Sequence, residues 1–280
     1  MRYGRPVADL IRARRSTRTY TGGPIEEGTM RALAEACASL SNGLFGEKVR
    51  FKLVEKPFRK DQMVSLGDYG LQKNPRYFII GAIGKGGMAR ESYGYLMEQM
   101  VLKVTELGLG SCWLGIFNRQ YFSDFSSADD EIVPAIITLG IAAGKPRFGE
   151  RIMRFGIGAN SRKDWNELFF SGTLGQPLSR EEAGPYSEPL EMLRLAPSAG
   201  NTQCWRIVKD KGANAFHFHI SKRKASYYDA GLHNIDIGIA MCHFELSARE
   251  KGLAGDWKVA APKTGALPEG TEYRVSWLPR

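Results

Sequence analysis

The sequence predicts an α+β protein made of two tandem copies of a helix, strand, strand, helix, strand unit, with sheets covered by helices and the copies forming a pseudo-dimer. Three observations predict it: a long internal repeat, the same order of periodic elements around each copy, and a length that suits two domains. Gly94 to Trp113 and Gly238 to Trp257 align without a gap at a constant offset of 144 residues. Gly94/Gly238, Met97/Met241, Leu102/Leu246, Glu106/Glu250, Gly108/Gly252, Leu109/Leu253 and Trp113/Trp257 are identical, where composition alone gives about one or two matches. Solenoid periods are about 20–50 residues, so this spacing marks a duplicated domain-sized unit. At 280 residues, a prior of about 150 per domain gives two domains or one interlocked pair. They are placed at 1–155 and 156–280.

The elements follow in order. Pro6 to Ala13 reads as a short amphipathic helix. Val49, Phe51 and Leu53 alternate with Arg50 and Lys52, the period of a half-buried strand, and Tyr77 to Ile83 is a continuous apolar strand. The repeated helix carries Tyr93, Met97, Met100, Val101 and Val104 on one stripe, and Ala135 to Ile141 is a further apolar run. In the second half a helix at Ser187 to Leu195 precedes strands at Trp205 to Val208 and Ala215 to Ile220. Ile237, Met241, Phe244 and Ala248 then repeat the offsets of the first long helix, and Tyr273 to Trp277 closes the unit. Ser161 to Glu181, between the halves, is irregular and is read as a lid or a linker.

The composition, 43% hydrophobic and 25% charged, is that of an ordinary soluble protein. No apolar run approaches the ~18 residues of a membrane span, and the apolar stretch Val7 to Ile11 is broken by Asp9, unlike a signal peptide. The expectation is a cytoplasmic protein that does not engage a membrane. Cys37, Cys112, Cys204 and Cys242 lack metal-ligand spacing and read as small buried residues. His217 and His219 share one side of a strand without an evident third ligand, so no metal is expected. The net charge of +9 favours an anionic ligand. It comes without a nucleic-acid recognition motif, so nucleic acid is not an expected partner.

Three pieces carry candidate chemistry. Arg14-Arg15-Ser16-Thr17-Arg18-Thr19-Tyr20 packs three guanidiniums among hydroxyl-bearing residues, a set suited to phosphate; arginines at a helix end equally complement its dipole. Ala196-Pro197-Ser198-Ala199-Gly200-Asn201-Thr202-Gln203-Cys204-Trp205 offers small residues for close backbone approach to a flat ligand and polar groups for its edge, or it is a helix stop. Gly108-Leu109-Gly110-Ser111-Cys112-Trp113-Leu114-Gly115 reads as a glycine cap running into a core tryptophan, with Gly115 suggesting a wall beside a ring system.

Together these motifs, with Ile132-Val133-Pro134-Ala135-Ile136, resemble the nitroreductase family, over most of 7–150 and less completely over 185–280. The resemblance implies FMN. In that family one subunit's arginine motif and its partner's Pro-Ser-x-x-Asn loop complete each site. Here the first half keeps the arginine motif but has Ser39-Leu40-Ser41-Asn42-Gly43 where the loop falls. The second half keeps the loop, and its arginine counterpart is reduced to Arg162-Lys163-Asp164-Trp165. One FMN per chain, bound by a monomer acting as a pseudo-dimer, is the expectation.

Carried over by resemblance, Arg14, Arg15 and Ser16 hold the phosphate, joined by Lys145 and Arg147, and Arg18 lies near the pyrimidine edge. Leu114 and Gly115 line the ring near N5, with Pro197, Ser198, Ala199 and Asn201 covering it. Cys204 departs from the family's usual proline. The implied activity passes hydride from NAD(P)H through FMN to a small electron-poor acceptor, a nitroaromatic or quinone, with no side-chain acid or base. The alternatives are another flavin reaction on the same fold, of dehalogenase or dehydrogenase type, or non-catalytic flavin or nucleotide binding.

Overall fold

Alternation at Val49, Phe51 and Leu53 yields the strand β1 (Val49–Glu55), and the apolar run after it yields β2 (Tyr77–Gly84), buried along all but its last residue. The computed structural model describes residues 1–56, 72–144, 161–222, 224–260, 262 and 267–280. It divides into two units, Met1–Ala159 and Asn160–Arg280.

In the first unit α1 (Val7–Ala13) and α2 (Glu27–Ser39) precede β1 and β2. The long helix α3 (Ala89–Glu106) follows, then β3 (Gly110–Leu114), the two-residue β4 (Glu131–Ile132) and β5 (Ile136–Gly140). The sheet runs β1-β2-β5-β3, with β4 also pairing β2, and every described pairing is antiparallel. Phe78, Ile80 and Ala82 of β2 pack with Leu114, Phe122, Val133 and Ile136 as one apolar cluster.

The second unit begins with α4 (Trp165–Leu168), started by a capping box of Asp164 and Glu167. β6 (Phe169–Ser171) and α5 (Arg180–Ala183) follow; Ser179 and Glu182 form a second capping box in front of α5, each satisfying N–H groups a helix start leaves open. Then come α6 (Ser187–Arg194), β7 (Trp205–Lys209), β8 (Phe216–Ser221), α7 (Ala225–Asp229), α8 (Leu232–Glu250), β9 (Gly255–Lys258) and β10 (Thr271–Pro279). The sheet order is β6-β7-β8-β10-β9, with β6 parallel to β7 and the other pairs antiparallel.

Without β4 and β6 the two sheets share one order: first strand, second strand, last strand, and the strand that follows the long helix. That last strand, β3 or β9, is an addition to the sequence pattern. Its short Gly-containing run reads as a turn until it pairs along β5 or β10. Part of the stretch read as lid or linker also belongs to a sheet, because Phe169–Ser171 pairs with Ile207–Lys209.

The repeat extends to individual hydrogen bonds. Gly108 and Gly252 end their helices at φ of +75° and +74°. Gly108 N–H donates to Thr105 and Leu109 N–H to Val104, just as Gly252 N–H donates to Arg249 and Leu253 N–H to Ala248. Glycine is the residue that enters this left-handed conformation without a Cβ penalty. Beyond each cap an indole Nε1 donates back to the preceding helix, Trp113 to Glu98 at 2.8 Å and Trp257 to Glu245 at 2.7 Å. Both helices are buried well beyond the stripe their periodicity marks: Ser92, Glu98 and Gln99 are buried on α3, and His233, Asp236, His243 and Glu245 on α8.

Candidate functional site

In the first unit the arginine motif leaves α1 at Arg14, whose N–H still donates to Leu10, and continues as extended chain. Thr17 N–H donates to the Ser111 carbonyl of β3 at 2.8 Å, and Lys73 N–H donates to the Arg18 carbonyl at 2.8 Å. Tyr20 fixes the far end, its hydroxyl donating to the Thr17 carbonyl at 2.6 Å and lying 2.7 Å from Thr138 Oγ1. Gly110 makes the fit possible, since a Cβ there would meet Thr17 Oγ1 at 2.6 Å.

Within this rigid segment the three arginines differ. Arg15 is exposed, and its guanidinium donates to the carbonyls of Arg12 and Arg14, which is the helix-end reading of the motif. Arg14 is 6% exposed; burial lowers its pKa, and the nearby Glu98 acts in the opposite direction. Among the described residues Arg14 Nε and Arg18 Nη1 are buried without a hydrogen-bond partner. Buried N–H groups rarely stay unpaired, so each of these guanidinium nitrogens calls for an acceptor that the described residues do not supply. Ser16 lies between them, bridged to Ser111.

The Leu114 side chain is part of the apolar cluster, and its backbone pairs with Ile136 of β5. Gly115 is half-buried in the bend after β3. Lys145 and Arg147 lie outside the described residues.

In the second unit Pro197, Ser198, Ala199 and Asn201 are half-buried between α6 and β7. The loop is strained at two non-glycine residues, Asn201 and Gln203, with φ of +55° and +46°, beside Gly200 at +54°. It is tied on one side by the segment read as a reduced arginine motif. Arg162 donates to the Leu195 carbonyl at 3.2 Å, Asn201 Nδ2 to the Ser161 carbonyl at 3.2 Å, and Lys163 N–H to Gln203 Oε1 at 2.8 Å. Within it, Gln203 N–H donates to Ser198 Oγ at 2.9 Å. On the other side Ala199 N–H donates to Asp236 Oδ1 of α8 at 2.9 Å.

A family model described as "Putative TM nitroreductase" matches residues 6–248. The chain belongs to this nitroreductase family. The crystal structure of a putative nitroreductase from Thermotoga maritima MSB8 is similar at TM-score 0.61 and 20% identity, covering 99% of this chain and 95% of that one. This likeness shows a shared fold. A nitroreductase with bound FMN from Bacteroides fragilis NCTC 9343 matches at TM-score 0.42 and 22% identity over 51% of this chain and 92% of that one. A putative nitroreductase in complex with FMN from Desulfovibrio desulfuricans matches at 0.39 and 21%, over 52% and 95%. A search of curated proteins returns no match. No helix among the described residues is long and apolar enough to cross a membrane.

Two features of this nitroreductase-family chain escaped its motifs. Glu98, the buried carboxylate beside Arg14, is fully enclosed on α3, and sequence offers no signal for it except an acid on an otherwise buried stripe. Asp236 is as hidden, 2% exposed on α8, where burial raises its carboxyl pKa. The histidines weighed as ligands are engaged at Nδ1: His217 Nδ1 lies 2.7 Å from Ser276 Oγ, and His219 Nδ1 donates to the His217 carbonyl at 3.1 Å.

Proposed function

We propose that the chain is an FMN-dependent oxidoreductase that passes hydride from NAD(P)H to a small electron-poor acceptor, a nitroaromatic or a quinone. The observation that carries this reading is the pair of buried, unpartnered guanidinium nitrogens on Arg14 and Arg18. A buried donor left unmade costs about 1–3 kcal/mol, and a phosphoryl or carbonyl oxygen of FMN is the acceptor such donors require. Membership of the nitroreductase family selects the flavin among phosphate-bearing ligands.

Bound FMN would supply the chemistry, accepting hydride from a nicotinamide and passing it to the acceptor. Arg14 binds the phosphate, with Ser16 beside it, and Arg15 holds the helix end from which the motif departs. Arg18 offers positive charge to the pyrimidine edge, where it favours the electron-rich form. The backbone of Leu114 and Gly115 and the small residues Pro197, Ser198 and Ala199 admit a flat ring closely, and the Asn201 amide stiffens that loop. Lys145 and Arg147 add cations to the phosphate. Each unit keeps one of the two pieces the family pairs, which supports one FMN per chain and a monomer acting as a pseudo-dimer.

The absorption spectrum of the purified protein tests the reading. The expected result is a flavin spectrum that bleaches under anaerobic NADH or NADPH and recovers on adding a nitroaromatic or quinone. Protein that neither carries nor takes up FMN overturns it. A bound flavin inert to both nicotinamides overturns the reductase and leaves a flavin-binding protein.

A further inference from the structure

The loop Ser198–Gln203 holds two non-glycine residues, Asn201 and Gln203, in the left-handed region, a conformation L-residues avoid unless their surroundings impose it. Ser161–Lys163 secures its far side, as described above. The near side rests on one carboxylate. Asp236 Oδ1 accepts the Ala199 N–H at 2.9 Å, and Oδ2 faces Cys204 Sγ at 3.7 Å and His233 Nδ1 at 3.4 Å. Cys204 and His233 are fully enclosed and Asp236 is 2% exposed, so these donors have no water to turn to. The carboxylate thus joins the start of the loop (Ala199), its end (Cys204) and the first turn of α8 (His233).

We propose that Asp236 is a positioning residue, a buried carboxylate clamp that holds the 198–203 loop in its strained shape so that it meets the ligand already formed. The use of that shape for FMN rests on the proposed function; the clamp itself does not. Cys204, Asp236 and His233 also have ligand atoms within 4.8 Å of one another, a grouping compatible with a metal ion. The hydrogen bonds from Ala199 N–H, Cys204 Sγ and His233 Nδ1 engage both oxygens of Asp236, and a metal ion at this grouping is one of the outcomes that the test separates.

The test is amide hydrogen exchange by mass spectrometry on the full chain, wild type against Asp236→Ala and Asp236→Asn, with no FMN added. A parallel titration follows FMN fluorescence, and the as-purified protein is assayed for zinc and other transition metals. Losing one buried charged hydrogen bond corresponds to roughly tenfold or more. The alanine variant is therefore expected to exchange at least about tenfold faster across 199–204, with the interior of α8 unchanged, and to bind FMN at least about tenfold more weakly. The asparagine variant retains an acceptor for the Ala199 N–H and is expected to recover most of both. Unchanged exchange in the loop overturns the clamp; faster exchange with unaltered FMN affinity leaves the clamp and overturns its part in ligand binding. Stoichiometric metal whose removal loosens the loop overturns it in favour of a metal centre. Faster exchange in a protein whose wild type binds no FMN supports the clamp and removes the flavin reading.

Discussion

Gly110 lies so close to Thr17 that a Cβ on the glycine would sit 2.6 Å from the threonine Oγ1 and 2.7 Å from its Cβ. This contact presses the arginine motif onto β3. Overpacking a tight contact costs about 1–3 kcal/mol, so Gly110→Ala should lower stability by that amount and reduce flavin content, because Arg14 and Arg18 lie on the displaced segment. Urea melts and the ratio of flavin to protein absorbance check both; a variant that loses stability while keeping full flavin content would contradict the second.

Gly108 and Gly252 make a cleaner comparison. A Cβ at either would find no atom within 4 Å, so the whole cost of alanine is the positive φ. Left-handed geometry costs a non-glycine residue about 1–2 kcal/mol. Each single alanine variant should lose about that much, by nearly the same amount in both units, as read from urea midpoints. A larger loss at one site would mean that its cap does more than end a helix.

Glu98 is the buried counter-charge of Arg14. In Glu98→Gln the amide oxygen still accepts from the Trp113 indole, but the charge is gone. Removing one member of a buried pair leaves the other uncompensated, at a cost of several kcal/mol when no other acceptor is available. The variant should melt lower than wild type in phosphate-free buffer and recover more than wild type on adding inorganic phosphate or FMN. Thermal melts with and without phosphate measure the difference; equal recovery in the two proteins would remove Glu98 from the electrostatics of the site.

His219 predicts an acid limb of stability. Burial lowers its pKa from 6.5 to about 4, so the imidazole stays neutral in the fold while the unfolded chain binds a proton. Folding is then favoured fully above pH 6.5, and that part of the stability is lost as pH falls toward 4, at about 1.4 kcal/mol per unit. Denaturant melts between pH 7 and pH 5 should show the slope. His219→Gln should flatten it; an unchanged slope would assign the loss to other groups.

The cysteines should be silent to thiol reagents in the folded protein. All four are buried, with the Cys37 pKa raised to about 12 by burial and that of Cys204 well above its ordinary value. Since the thiolate is the nucleophile, Ellman's reagent at pH 8 should label the native protein slowly and all four thiols after denaturation. Rapid native labelling of one thiol would reveal local opening around it.

Much of this architecture was legible because it rests on local periodicity and on a repeat. The strands at 49–55 and 77–84 and the long helices follow from apolar spacing. β3 and β9 were not legible: Gly110–Leu114 and Gly255–Lys258 are short and glycine-led, and they become strands only by pairing along β5 and β10. Phe169–Ser171 was missed for the same reason, being three residues long. Motif spacing pointed to Arg14 and Arg18, but not to the difference between their guanidiniums and that of Arg15, which depends on what each meets in space. Asp236 was invisible because the amide it holds lies 37 positions earlier.

The indole bonds of Trp113 and Trp257 carry a lesson about what divergence preserves. Glu98 occupies the place of Cys242 in the other copy, and Glu245 that of Val101, so a column-by-column comparison scores both as mismatches. The acceptor stands about one helical turn apart in the two units while its task is the same. Its company differs: Glu98 answers a cation arriving from a separate segment, whereas Glu245 pairs with Arg249 of its own helix. Among the described residues, the unit that accepts from its tryptophan at Glu245 has no incoming arginine to neutralise there, and the same indole stays seated in both.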